Sequence, residues 1–237
     1  MSGENTPGKP DPALRAVLFD MDGLLVDSEP LWFEAECSVM AAMGGPWTRA
    51  DQVQLTGGSL AHSVGYMRAR ALRPAEPEQI GRWLLDAMAA LIAGRGVPFM
   101  AGAAELLAEL TAAGIPMALV TSAQRRIMDA VIASTGLAFG VTVCAEDVSM
   151  GKPHPEPYLR AAAALGEPPA GCVVLEDSPR GIAAAQAAGC PVIAVPSVPL
   201  PEAMGTSGPG LLIVTSLGEV DLARIRQLVA VSAASGL

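Results

Sequence analysis

From Arg15 to Phe19 the chain runs Arg-Ala-Val-Leu-Phe, apolar after its first residue. A short unbroken apolar run of this kind reads as a strand buried on both faces, opening a parallel sheet. Between residues 28 and 98 the apolar positions recur at helical spacing. They are interrupted only by Gly44-Gly45-Pro46, Gly57-Gly58 and Arg73-Pro74, and no buried strand is evident. From Gly102 onward helix and strand patterns alternate. Helices are predicted over 103–113, 124–135, 155–165, 179–188 and 219–230. Strands are predicted over 116–120, 141–144, 172–175, 191–195 and 211–214, with Gly114, Gly136 and Gly189 as helix stops. Such alternation predicts an α/β fold, a doubly wound parallel sheet with an all-helical insertion. The expected division is a disordered tail at 1–13, a core made of 14–27 and 99–237, and a helical cap domain at 28–98.

The first strand ends in Asp20-Met-Asp22-Gly23, followed by Asp27-Ser28-Glu29. Ligands of open α/β sheets bind at the carboxyl ends of strands, so Asp20 and Asp22 sit where chemistry is expected. Two carboxylates two residues apart on extended backbone lean to one side and repel unless a cation or a shared proton relieves them. Their oxygens are the ligand type that Mg²⁺ prefers. Ser28 is placed to cap a helix beginning at Pro30.

Three further strand ends carry polar residues. Thr121 and Ser122 follow the second strand, where hydroxyls and backbone N–H groups suit phosphate oxygens at a helix start. Lys152 lies in Gly-Lys-Pro-His-Pro; the other lysine is Lys9, in the tail, so the folded part otherwise uses only arginine. A lone lysine in a proline frame suggests a fixed point charge for an anion. Glu176-Asp177 end the strand at 172–175, where they can complete a metal site begun by Asp20 and Asp22.

Composition narrows the function. The 237 residues carry a net charge of −9, which disfavours a nucleic-acid backbone, and no basic cluster overrides it. No apolar run is long enough to span a bilayer, and residues 1–12 are polar and proline-rich without a signal pattern, so a cytoplasmic protein is expected. Cys37, Cys144, Cys172 and Cys190 lack metal-ligand spacing and read as free thiols.

Together DMDGLLVDS, VTS, GKPHPEPY and LEDSPRGIAAAQAAG resemble the motifs of the haloacid dehalogenase superfamily, subfamily I, whose helical cap is inserted after the first motif. The resemblance runs from about Arg15 to Leu217; Glu156 departs from it, since many relatives carry Asp there. It implies a Rossmann-like core and a Mg²⁺-dependent phosphatase acting on a small phosphomonoester. It implies Asp20 as nucleophile and Asp22 as acid/base. Thr121 and Ser122 become the phosphate site, and Lys152 the cation that neutralises Asp20 and phosphate. The implied metal ligands are Asp20, Asp22 through its carbonyl, and Asp177, helped by Glu176.

Within that superfamily the chain resembles the β-phosphoglucomutase-like and sugar-phosphate phosphatase branch, for which a monomer or small homo-oligomer is expected. The alternative activity is a phosphosugar mutase. The mutases carry a His where Trp32 stands, an Arg where Leu60 aligns, and a cap lysine, whereas residues 28–98 here contain no lysine. Hydrolysis of a sugar or polyol phosphate is therefore expected. His62 reads as a surface residue, His154 as structural, and Arg68 and Arg70 as a solvated helix face; Trp32 can face either substrate or the insertion's core.

Overall fold

The computed structural model describes residues 13–55 and 58–235. The expected tail falls outside these residues up to position 12, as do Thr56 and Gly57 of the loop before Leu60. Six strands form one parallel sheet: β1 (Ala16–Phe19), β2 (Met117–Val120), β3 (Val141–Val143), β4 (Cys172–Glu176), β5 (Val192–Ala194) and β6 (Leu211–Ile213). Their spatial order is β3-β2-β1-β4-β5-β6. The chain thus winds outward on one side of β1, then returns to its other side. The switch of direction lies at β1, where a doubly wound sheet opens its ligand crevice.

Register follows the burial of both sheet faces. Val17, Phe19, Leu119, Val173 and Leu175 point into one apolar cluster, and Ala16, Leu18, Ala118, Val120, Cys172 and Val174 into a second. The first face is covered by α5 (Ala103–Ala112), α6 (Arg125–Thr135) and α9 (Leu222–Ala234), through Leu106, Leu110, Ile127, Val131, Ile225 and Val229. The second is covered by α7 (Glu156–Leu165) and α8 (Pro179–Ala187). Alanine dominates that face: Ala161, Ala162, Ala184 and Ala185 are buried there, which lets the two helices approach the sheet closely. The fold is the expected Rossmann-like α/β architecture.

The insertion between β1 and β2 consists of α1 (Glu29–Ala42), α2 (Arg49–Val53), α3 (Leu60–Arg70) and α4 (Pro77–Arg95). The outgoing and returning segments are bound to each other: Val26 bridges Phe99, Asp27 N–H donates to the Pro98 carbonyl at 2.9 Å, and Met100 N–H to the Leu25 carbonyl at 2.9 Å. Met40, Met67, Ile80, Leu84, Met88 and Ile92 build the insertion's interior, which is continuous with the cluster on the first sheet face. Beside α6, the Arg126 guanidinium pairs with Asp86 of α4. Glu36 of α1 is only 4% exposed and accepts a hydrogen bond from Trp47 Nε1 at 3.0 Å. Ser28 stands before α1 but does not cap it; its hydroxyl is turned to Asp22 instead. Among the described residues no helix is long and apolar enough to cross a membrane, and all four cysteines are free thiols.

Two outcomes test this packing. Gly102 has φ +86°, and a Cβ there would strike the Leu217–Gly218 backbone, whereas Gly114, at φ +67°, has open space. Gly102→Ala should lower the melting temperature by about 4–8 °C, with Gly114→Ala costing only the backbone strain of roughly 1 kcal/mol. Burial pushes the Glu36 carboxyl up to about 7, against the opposing Trp47 hydrogen bond. The unfolded chain gives up that proton near the ordinary value, so stability falls as pH rises from there through about 7. Glu36→Gln should therefore match the parent near pH 4 and exceed it at pH 8. The gain is on the order of 2 kcal/mol once solvent screening is allowed for, and pH-dependent denaturant titration reads it.

Candidate active site

All four strand-end signatures meet at the carboxyl edge of β1, β2 and β4. Asp20, Asp22, Thr121, Ser122, Lys152 and Asp177 line one small pocket of about 60 Å³, with Glu29, Ser178 and Arg180. Asp20 continues β1 by one hydrogen bond, its N–H donating to the Leu175 carbonyl at 3.1 Å, which fixes its side chain between β2 and β4.

Lys152 is the hub. Its ammonium, on a side chain only 4% exposed, donates to Asp20 Oδ1 at 2.5 Å, Glu176 Oε1 at 2.6 Å and the Val120 carbonyl at 2.9 Å. Three donors of –NH₃⁺ thus meet three acceptors contributed by β1, β4 and β2. Burial works against the charge on Lys152, yet Asp20 and Glu176 outweigh it and hold the pKa above the ordinary lysine value. Two rigid supports keep the lysine there. The Arg180 guanidinium donates to the Lys152 carbonyl at 2.5 Å, and Glu156 receives the N–H groups of Ser149 and Met150 at 2.8 and 2.9 Å. Glu156, with one methylene more than the aspartate usual at that position of the motif, thereby binds the preceding loop.

Glu176 is fully buried and saturated. Oε1 also accepts from Tyr158 Oη at 2.6 Å, while Oε2 accepts from Asp177 N–H, Ser178 N–H and the Ser178 hydroxyl at 3.0–3.1 Å. A Cβ on Gly181 would overlap this carboxylate, so only glycine fits in the first turn of α8. Ser178 caps that helix, accepting from Gly181 N–H at 3.1 Å. The carboxylate of Asp177 is freed from capping duty.

Oxygens of Asp20, Glu176 and Asp177 come within 4.8 Å of one another, close enough for neighbouring groups to share a cation with little adjustment. Burial, reinforced by the charge of Glu176, pushes Asp177 up to about 7. Burial likewise raises Asp20 well above the carboxylate range, opposed by Lys152 and seconded by Glu176 and Asp177. One lysine among these carboxylates leaves negative charge in excess. A hard divalent cation such as Mg²⁺ fits this all-oxygen donor set.

Asp22 turns the other way from Asp20. Oδ1 accepts from the Ser28 hydroxyl at 2.5 Å and Trp32 Nε1 at 3.4 Å, and Oδ2 from the Thr121 hydroxyl at 3.5 Å. Burial raises its pKa against the Ser28 and Trp32 hydrogen bonds, so this carboxyl holds a proton more readily than an exposed aspartate. Thr121 also accepts from Ala123 N–H at 3.0 Å, which orders the turn before α6.

Beyond Asp22 a second cavity of about 100 Å³ opens between the insertion and the core. Its wall includes Asp22, Glu29, Trp32, Glu36, Gln52, Leu55, Leu60, Ser63, Ser122 and Gln124. Trp32 lines this cavity and also packs against the insertion's apolar cluster, and its Nε1 reaches Asp22, a contact its sequence did not suggest. His62 is not on that wall; its Nε2 lies 3.2 Å from the Gln54 carbonyl. His154 Nδ1 accepts from Glu156 N–H at 3.2 Å, a structural role. Arg70 pairs with Asp51 and covers the Tyr66 ring, and Arg68 lines a separate groove between α3 and α4. Sequence reasoning missed Tyr158, Arg180 and the cavity faces of Glu29 and Glu36. The signal for the last two was present: Glu29, Trp32 and Glu36 recur at helical spacing directly after the first motif.

Comparison with known proteins gives the family of the chain. The family model for haloacid dehalogenase-like hydrolases matches residues 17–195. Hexitol phosphatase B of Escherichia coli is 35% identical over 193 residues, covering 79% of this chain and 85% of the relative. Protein CbbY of Rhodobacter capsulatus is 34% identical over 201 residues, covering 78% and 86%. The crystal structure of CbbY from Rhodobacter sphaeroides in complex with phosphate superposes with a TM-score of 0.78 at 28% identity, covering 89% of this chain and 98% of that one. Four motifs converging at one switch point, in a chain alike in sequence and fold to these enzymes along most of its length, make it a member of subfamily I of the haloacid dehalogenase-like hydrolases and a phosphatase.

Proposed function

We propose that the protein is a Mg²⁺-dependent phosphomonoesterase that hydrolyses a small sugar or polyol phosphate through an aspartyl phosphate on Asp20, with residues 28–98 acting as a cap. The observation that carries this reading is the Asp20–Lys152 contact of 2.5 Å beside Asp177 and Thr121 in a pocket of about 60 Å³. Asp20 attacks phosphorus, and the bond to the leaving oxygen breaks with its electron pair. Asp22 Oδ2 gives that oxygen a proton, Oδ1 being tied to Ser28 and Trp32. Water then loses a proton to Asp22 and attacks the phosphoryl group, releasing Asp20 and inorganic phosphate.

The Thr121 hydroxyl and Ser122 backbone N–H hold phosphoryl oxygens, while Lys152 offsets the charge brought together by Asp20 and the phosphate. Asp20, Asp177 and the Asp22 carbonyl would hold Mg²⁺. Glu176 supports them from behind, since five protein donors already occupy its carboxylate. Bound Mg²⁺ supplies Lewis-acid polarisation of the phosphoryl group and keeps Asp20 ionised in spite of its burial. Hydrolysis is favoured over mutase chemistry by the cavity wall. Leu60 stands there, and among the described residues no lysine or arginine lines it to hold a second phosphate while an intermediate turns over. The relatives' names, hexitol phosphatase among them, support a sugar or polyol leaving group.

Two experiments test the assignment. Asp20→Asn should lower p-nitrophenyl phosphate turnover at least about 10³-fold while keeping the far-UV circular dichroism spectrum. EDTA should abolish the parent's activity and Mg²⁺ restore it; undiminished turnover in the variant would remove Asp20 from the nucleophile's role. Lys152→Met leaves Asp20 and Glu176 buried without their cation. Loss of turnover should accompany a destabilisation of about 3–5 kcal/mol, read by denaturant titration.

A further inference from the structure

The cavity beside Asp22 is walled by acids. Glu29, Trp32 and Glu36 lie on one face of α1 at helical spacing, and all three line it. Glu29 also borders the catalytic pocket with Asp20 and Lys152, so the wall runs without a break from the phosphoryl site into the insertion. Facing the acids are neutral polar groups, Gln52, Ser63, Ser122 and Gln124, and the apolar Leu55, Leu60 and Leu84.

Of the nearby cations, Arg49 reaches Glu29 and Glu36 through its charge alone, with less effect than their burial, and the others are engaged elsewhere. Arg49 is exposed, stacks on Phe33 with its guanidinium 3.8 Å from the ring centre, and donates to Gln52 Oε1 at 2.9 Å. Arg125 pairs with Asp147, Arg126 with Asp86 and Arg95 with Glu34. The acids are anchored as well. Glu29 Oε2 accepts from Gln52 Nε2 at 3.0 Å, and Glu36 Oε2 from Trp47 Nε1 at 3.0 Å. Carboxylates fixed in this way accept hydrogen bonds from hydroxyl groups, and they repel an anion entering the half-open cavity that they line.

Resting on the phosphatase reading, we propose that Glu36, with Glu29, is a specificity determinant that admits a neutral, hydroxyl-bearing leaving group and excludes any substrate with a second phosphate or a carboxylate. The leaving alcohol extends from the phosphoryl site along α1, where its hydroxyls donate to the two glutamates. A sugar bisphosphate would place its distal phosphate against them. Like charges brought together in such a space weaken binding in the transition state as well as in the ground state, so kcat/KM carries the discrimination.

The test compares kcat/KM at pH 8, where Glu36, pushed up to about 7 by burial, is ionised, for a hexitol monophosphate, 2-phosphoglycolate and xylulose 1,5-bisphosphate, with Mg²⁺ present, for the parent, Glu36→Gln and Glu29→Gln. The parent should favour the hexitol phosphate over both others by about 100-fold or more, and Glu36→Gln should reduce that preference about 10-fold, mainly through KM for the doubly anionic substrates. A merely structural role for the Glu36–Trp47 pair would scale all three substrates together. An unchanged ratio, or a parent that cleaves the bisphosphate as well as the hexitol phosphate, would overturn the selectivity and leave the phosphatase standing. Should Glu36→Gln fail to fold, the same ratio in Glu29→Gln decides. Inertness of the parent toward every phosphomonoester would instead overturn the phosphatase reading, and the selectivity with it.

Discussion

A single buried ammonium organises the centre of this structure. Lys152 holds one carboxylate from the end of β1, one from the end of β4 and a backbone carbonyl from β2. A charge so removed from water is tolerable only when its partners are complete, and here all three of its protons are matched. The three central strands must therefore keep their relative register for the lysine to remain charged. Conversely, the lysine keeps Asp20 and Glu176 from repelling each other apart.

The rest of the site is built around that contact in layers. Glu176 receives donors on every side, and Gly181 leaves the space its carboxylate occupies. Asp22, two residues from Asp20, belongs to a different network, bound to Ser28 and Trp32 on the insertion's side. Two aspartates of one motif thus acquire different tasks through their neighbours. One faces a cation and the excess charge of Asp177. The other is buried, which favours its proton, among neutral donors that oppose that shift and fix its orientation. Environments that set two acids apart are a general way of dividing nucleophilic and acid–base work at neutral pH.

The helical insertion is tied to the strand-end site because it begins at the motif itself. Only Asp27 and Ser28 separate the Val26 bridge from α1, so the face bearing Trp32 and Glu36 is set by the same backbone that sets Asp22. The insertion's apolar interior is continuous with one face of the sheet, and its departing and returning segments are hydrogen-bonded to each other. That arrangement places the acid-lined cavity directly beside the pocket of Asp20 and Lys152, with Asp22, Glu29 and Ser122 on both walls.

Much of this was legible before any coordinates. Apolar strand runs, glycine stops and polar residues after strands follow local rules of periodicity and backbone sterics, so β1, β2 and β4 and their terminal residues could be read directly. The rarity of lysine isolated Lys152 as a special charge. Local rules erred where a side chain had a distant partner: Ser28, expected to cap α1, has helical backbone angles of its own (φ −89°, ψ −14°), makes no cap hydrogen bond, and turns its hydroxyl to the buried Asp22 carboxylate. Which carboxylate oxygens lie close together, why Glu176 is saturated, and which face of α1 turns toward the cavity were decided only by the tertiary structure. Those facts depend on groups as far apart in the chain as Asp20 and Lys152, and on burial, which shifts their protonation and strengthens each charge they carry.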